Sequence, residues 1–167
     1  VNDEFSHQLC ERWEFLAKQA QSDKTRVCIL RTGVVITKRG GALQKMLLPF
    51  KLGLGGPIGD GTQYMSWIHL EDMLQGIAHL IANKSCEGIY NFTAPNPVTN
   101  QEFSRELASA LSRPCLFKVP EFMLRMMMGE MADIVLYGQR VVPSRLQESG
   151  YEFIYPTLSQ AFECLSK

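Results

Sequence analysis

The side chains able to do chemistry are few, and their spacing excludes more than it suggests. His7, His69 and His79 never form H-E-x-x-H and stand near no cysteine pair, so no metal site is indicated. The cysteines Cys10, Cys28, Cys86, Cys115 and Cys164 are odd in number and never make C-x-x-C. That argues against a disulfide framework or zinc knuckle and for a reducing, cytoplasmic setting. Spacing yields no Ser-His-Asp or Cys-His arrangement, and Cys10 lies on a helix whose apolar stripe could absorb it. Lys38, Arg39, Arg140 and Arg145 are candidates for an anionic substrate or cofactor phosphate, although isolated basic side chains also make an ordinary solvated face. Met123, Met126, Met127, Met128 and Met131 give one helical segment a soft apolar surface, for packing or for a partner.

The stretch from Gly53 to Gly61 holds five glycines but matches neither G-x-G-x-x-G nor G-x-x-x-x-G-K-[ST], because Ile58 stands where a third glycine is required. Turn geometry with positive φ is the simpler account of it. His69 directly follows a candidate strand, where a side chain either caps the next helix or faces a cleft.

The elements that would position these groups follow from periodicity. Phe5, Leu9, Trp13, Leu16, Ala17 and Ala20 form an amphipathic stripe predicting a helix over 3–21, with Asp3 as N-cap. The run from Val27 to Ile36 reads as one buried parallel strand. Leu43, Met46, Leu47 and Phe50 resume helical spacing, which Pro49 should distort or end. A strand is expected at 63–68, a helix over 70–81 with Glu71 and Asp72 at its positive end, and a strand at 88–92. Thr99-Asn100-Gln101-Glu102 matches a capping box opening a helix that stops before Pro114. Short pieces follow: a strand near 116–119, a Met-rich helix from Glu121, a helical stretch to Tyr137, a polar-apolar piece at 139–143 and a terminal helix. Alternating strand and helix argues for an α/β protein, with the pieces after 114 as a separate lobe.

With 167 residues, 46% of them hydrophobic, the chain can build a core without disulfides or metal. Its 17 basic and 17 acidic residues cancel, leaving no long-range field to draw it to nucleic acid or anionic lipid. No apolar run reaches the ~18 residues needed to span a bilayer, and no signal peptide is evident. The chain starts without Met, almost directly in a helical pattern, as though partway through a longer one.

Five strings in order carry a resemblance: Leu30-Arg31-Thr32-Gly33-Val34-Val35, Gly40-Gly41-Ala42-Leu43, Gly53-Leu54-Gly55-Gly56-Pro57, Trp67-Ile68-His69, and Gly138-Gln139-Arg140-Val141-Val142-Pro143-Ser144-Arg145-Leu146. Over practically its whole length the chain resembles the C-terminal half of an extended short-chain dehydrogenase/reductase. The match is to the atypical epimerase family, of nucleoside-diphosphate-sugar epimerase or cell-division-inhibitor type. The resemblance implies the C-terminal part of an NAD(P)-binding Rossmann-like fold plus a small α+β substrate lobe. Residues 1–36 and 68–92 would be late Rossmann elements, and 37–67 and 93–167 the lobe with a family-specific C-terminal segment. The N-terminal dinucleotide-binding half, with its glycine-rich pyrophosphate turn, would lie upstream and be absent from this chain.

The superfamily's Tyr-x-x-x-Lys proton-exchange pair has no counterpart here. Anchoring the first helix on Glu14 puts Ser6 and Cys10 at its two positions. The catalytic residues are therefore unknown: they lie upstream, or the ancestral reaction is lost. By similarity, Thr32, Gly33, Val34 and Val35 border the cofactor, NADP in the first place and NAD as the alternative. Substrate contacts fall to Lys38, Met46, Phe50, Trp67, Gln139 and Arg140. The implied function is the C-terminal portion of an NADP-dependent oxidoreductase or epimerase acting on a small or sugar-nucleotide-like substrate. The alternatives are a non-catalytic NADP-binding regulator or protein-interaction module, division-inhibitor-like, and a purely structural fragment. Expected partners are the small-molecule substrate, the missing N-terminal half and a second copy through exposed apolar surface.

Overall fold

The computed structural model describes residues 5–38, 40–128 and 136–163. In chain order the elements are α1 (Phe5–Lys18), β1 (Cys28–Thr32), β2 (Val34–Ile36), α2 (Gly41–Lys51), β3 (Tyr64–Met65), β4 (Trp67–His69), α3 (Leu70–Ala82), β5 (Gly88–Phe92), β6 (Val98–Thr99), α4 (Asn100–Ala110), α5 (Glu121–Met128), α6 (Ser144–Glu148) and α7 (Leu158–Glu163). The fold is α/β, with its parallel strands joined by helices as the alternating pattern predicts.

The stretch 28–36 is not one buried strand. It breaks at Gly33, with β1 parallel to β5 in the register Cys28↔Gly88 to Thr32↔Phe92, and β2 parallel to β4 from Val34↔Trp67 to Ile36↔His69. Changing partner midway leaves Arg31 and Thr32 exposed at the tip of β1, and only Ile36 is fully buried. The short strands β3 and β6 pair antiparallel, Tyr64↔Thr99 and Met65↔Val98. The expected strand near 116–119 is likewise absent. Val119 makes a single bridge to Ile58, and Pro120 removes the next backbone donor.

Two cores hold these layers. α3 packs Met73, Ile77 and Leu80 against Cys28, Leu30, Tyr90 and Phe92, and its interior Gly76 lets the Phe92 ring approach to where a Cβ would sit 2.9 Å away. The second core gathers Ile36, Leu43, Phe50, Trp67, Phe103, Leu107 and Phe162 from β2, α2, β4, α4 and α7. α2 continues two residues past Pro49, since a proline in the last turn forfeits only one helical hydrogen bond. The capping box forms as expected: Thr99 Oγ1 accepts from the Glu102 amide, and the Glu102 carboxylate accepts from the Thr99 amide. Arg26 closes the far end of α3, its guanidinium donating to the carbonyls of Leu80, Ile81 and Cys86. α1 is less covered than its stripe implies. Phe5 is 79% and Trp13 62% exposed, and Cys10 is exposed rather than absorbed.

Asp3 and Cys164 lie outside the described residues, as do Arg39 and Met131; nothing is described of the side chains of Ser6, Met127 and Met128. Glycine in the 53–61 loop is explained by geometry. Gly53, Gly59 and Gly61 have φ of 74°, 61° and 75°, and a Cβ on Gly56 would fall on the Phe117 carbonyl oxygen.

Candidate functional site at the strand ends

Where β1 gives way to β2, three chain segments converge. The Gly33 amide donates to the Phe92 carbonyl at 3.0 Å, the Val34 amide to Ser66 at 2.8 Å, and the Ala94 amide to Trp67. β1 and β5 thus part company, each taking up hydrogen bonding with residues 66–67. A Cβ on Gly33 would lie 2.6 Å from the Ser66 carbonyl oxygen, so no larger residue fits without moving the strand end. Its missing side chain is therefore accounted for by Ser66 itself.

Over this junction runs the irregular segment 138–142. The Ser66 hydroxyl donates to the Gln139 carbonyl at 2.7 Å and accepts from the Val141 amide at 3.2 Å. Thr93 Oγ1 reaches the Val141 carbonyl at 3.4 Å and Asn91 Nδ2 the Val142 carbonyl at 3.2 Å. A Cβ on Gly138 would fall 1.9 Å from the Tyr64 carbonyl oxygen. The segment is strapped across the carboxyl ends of β1 and β5, and strand carboxyl ends are where open α/β sheets take ligands.

The strap borders a cleft of about 530 Å³ lined by Arg31, Ile89, Asn91, Arg140, Val141, Val142, Ser144 and Arg145. Arg31 is forked onto Glu14 of α1, with Nε and an Nη at 2.6 and 2.7 Å from the two carboxylate oxygens. That bond holds Glu14 below the usual carboxylate range and raises Arg31 further. Arg145 donates to the carbonyls of Ile89 and Glu87 and lies 4.7 Å over the Tyr90 ring. Arg140 stands 5.9 Å over the Tyr64 ring, and has no carboxylate partner among the described residues.

Around the junction of β4 and α3 the polar groups are structural. His69 caps α3, Nδ1 accepting from the Glu71 amide at 3.2 Å, with its ring 3.9 Å from that of Tyr155. Burial holds its pKa below the ordinary value, against the pull of Asp72 and Glu71. Asp72 is fully buried, and its carboxylate accepts from the Tyr151 hydroxyl and from the amides of Ile154 and Tyr155 at 2.7–2.9 Å. Burial, then this bond, pushes the Tyr151 phenol well up.

Of the residues singled out from sequence, Gly33, Val34, Trp67, Gln139 and Arg140 meet at the junction or on its strap. Thr32 is exposed at the β1 tip, and Val35 is half-buried, packed toward the α3 core. Phe50 and Trp67 are 4% and 1% exposed, inside the second core, with Met46 packed against it. Trp67 Nε1 has no hydrogen-bond partner. Lys38 is exposed. Ser66, Asn91, Thr93 and the Glu14–Arg31 pair were not singled out. Their partners lie 17 to 75 residues away, so no local spacing signals them. Among the described residues no group of acids, histidines and cysteines could hold a metal. No described helix is long and apolar enough to cross a membrane.

Residues 119–165 match the family model described as a domain of unknown function, DUF1731. The chain is similar to the chloroplastic epimerase family protein SDR39U1 homologue of Arabidopsis thaliana, 43% identical over 95% of this chain and 45% of the relative. In structure it is similar to the human epimerase family protein SDR39U1 solved with NADPH, with TM-score 0.91 and 37% identity over 95% of this chain and 54% of that one. It is also similar to a nucleoside-diphosphate sugar epimerase from Corynebacterium glutamicum, TM-score 0.75 and 28% identity over 96% of this chain and 30% of that one. The chain spans about half the length of the curated relatives it matches.

Proposed function

The chain is a C-terminal region of the atypical extended short-chain dehydrogenase/reductase epimerase family, and from that premise we propose that it forms one wall of an NADP-dependent oxidoreductase or epimerase cleft. The observation that carries the proposal is the convergence at Gly33. A strand tip pinned by backbone packing and roofed by the 138–142 strap gives a rigid, open edge where a ligand can lie against main chain. The human relative with NADPH supports NADP as the cofactor, with NAD as the alternative.

Thr32, Gly33, Val34 and Val35 would border the flat ring end of the cofactor, which exposed Thr32 beside pinned Gly33 fits. No G-x-G-x-x-G turn stands in the sequence, so the pyrophosphate would be held by residues from the rest of the longer protein. When bound, NADP supplies the hydride. This chain's part is to orient substrate, with Gln139, Arg140 and Lys38 on the rim, while Phe50 and Trp67, with Met46 packed against them, lie in the core beneath and support that rim rather than touch the substrate. The four described cysteines, all free, suit the reducing cytoplasm.

The test is titration with NADPH of a form extended to the full length of the relatives. Submicromolar binding, weakened by Gly33→Val, is the expected result; a folded, extended form that binds neither NADPH nor NADH overturns it. A second reading, a protein-interaction module, is favoured by one observation. Phe122, Met123 and Met126 of α5 are exposed, as are Leu116 and Phe117 shortly before it in the chain, apolar side chains suited to a partner.

A further inference from the structure

We infer that Ser66 is a positioning residue: its hydroxyl seats the 138–142 strap on the strand end at Gly33, and so sets where Gln139 and Arg140 stand on the rim. The strap belongs to no helix or strand. Its backbone groups must therefore find partners outside any ladder, and the segment is placed only as well as the side chains that hold it. Among the described residues four side-chain hydrogen bonds reach its backbone, and Ser66 makes two of them.

That hydroxyl works in both directions. It donates to the Gln139 carbonyl at 2.7 Å and accepts from the Val141 amide at 3.2 Å, which brackets Arg140 between two held peptide groups. The other two bonds come from β5 and from Thr93 just past it, Asn91 Nδ2 to the Val142 carbonyl at 3.2 Å and Thr93 Oγ1 to the Val141 carbonyl at 3.4 Å. Neither reaches residue 139 or a strap amide. The main chain of Ser66 meanwhile holds the strand tip. Its carbonyl accepts from the Val34 amide at 2.8 Å and is the group a Cβ on Gly33 would strike. One residue thus carries the strand end on its backbone and the strap on its side chain. Alanine would keep the first tie and lose the second, whereas threonine keeps both.

The inference deepens the proposed function, and it rests on that reading only for the ligand that strap and strand end would share. The experiment is residue-resolved hydrogen exchange on the extended protein carrying Ser66→Ala, Ser66→Thr or Asn91→Ala, each with and without NADPH. In the free protein Ser66→Ala should speed exchange of the Val141 amide about tenfold, Ser66→Thr should restore it, and Asn91→Ala should leave it within about twofold. The Val34 amide should not respond, because its acceptor is main chain. With NADPH bound, Ser66→Ala should keep the protection at 32–35 and lose it at 139–141; a role in folding alone would lower both together. Unchanged Val141 exchange, an equal effect of Asn91→Ala, no rescue by threonine, or a strap that NADPH still protects in Ser66→Ala each overturns the inference. So does loss of the fold in Ser66→Ala, seen by circular dichroism, or of protection at both segments, since either makes the residue structural. In a protein that ignores NADPH the free-protein comparison still decides the seating, and only the cofactor reading falls.

Discussion

Two charged groups, Asp72 and Arg140, have opposite fates. The Asp72 carboxylate is fully buried and saturated by a phenol and two amides that lash residues 151–155 to α3. Arg140 is exposed, sits between two strap residues that are both bonded to Ser66, and has no acidic partner among the described residues. A buried charge must be satisfied from within, so its completeness marks structure. An exposed charge needs no partner to fold, so one held in a prepared position is available to a ligand.

That contrast is broken or sharpened by substitution. Asp72→Ala should cost about 3 kcal/mol in denaturant unfolding, since it strands two part-buried amides and leaves the buried Tyr151 hydroxyl only the main-chain carbonyl of residue 72. Gly33→Val should cost about 2 kcal/mol, because its Cβ must displace the Ser66 carbonyl, and should lower NADPH affinity as well. Thr99→Ala, which undoes the capping box of α4 but keeps the main-chain pairing with Tyr64, should cost about 1 kcal/mol and leave binding unchanged. Arg140→Gln should change stability by less than about 0.5 kcal/mol. A large loss there would make Arg140 structural and erase the distinction.

A pH dependence belongs to the structural side. His69 has a folded pKa depressed by burial, so the unfolded chain binds the proton more readily. The stability it contributes is complete above its ordinary value near 6.5 and is lost as pH falls through that value toward the lowered folded one. Unfolding followed from pH 7.5 downward should show that loss, and His69→Gln should flatten it.

Local chemistry was legible in the sequence and non-local chemistry was not. The helix at 70–82, the capping box and the glycine turn at 59–61 follow from periods and residue types acting within a few positions. His69 fell between two roles, and the Glu71 amide decides for the cap. The break at Gly33 escaped because an unbroken apolar run does not record which partner each half takes. The site was half visible: motif strings flagged Gly33, Gln139 and Arg140, but Ser66 is bound to the strap, at Gln139 and Val141, across more than seventy positions. Phe50 and Trp67 carry side chains equally suited to a ligand and to a core, and only packing shows that they lie in the core.

The most direct test is hydrogen exchange of the extended protein with and without NADPH. Slowed exchange at the amides of 32–35 and 139–141, with α4 and the 151–155 segment unchanged, is the predicted result. Bound NADPH that leaves both strand-end segments unprotected would contradict the account, and would place the cofactor away from Gly33 and its strap.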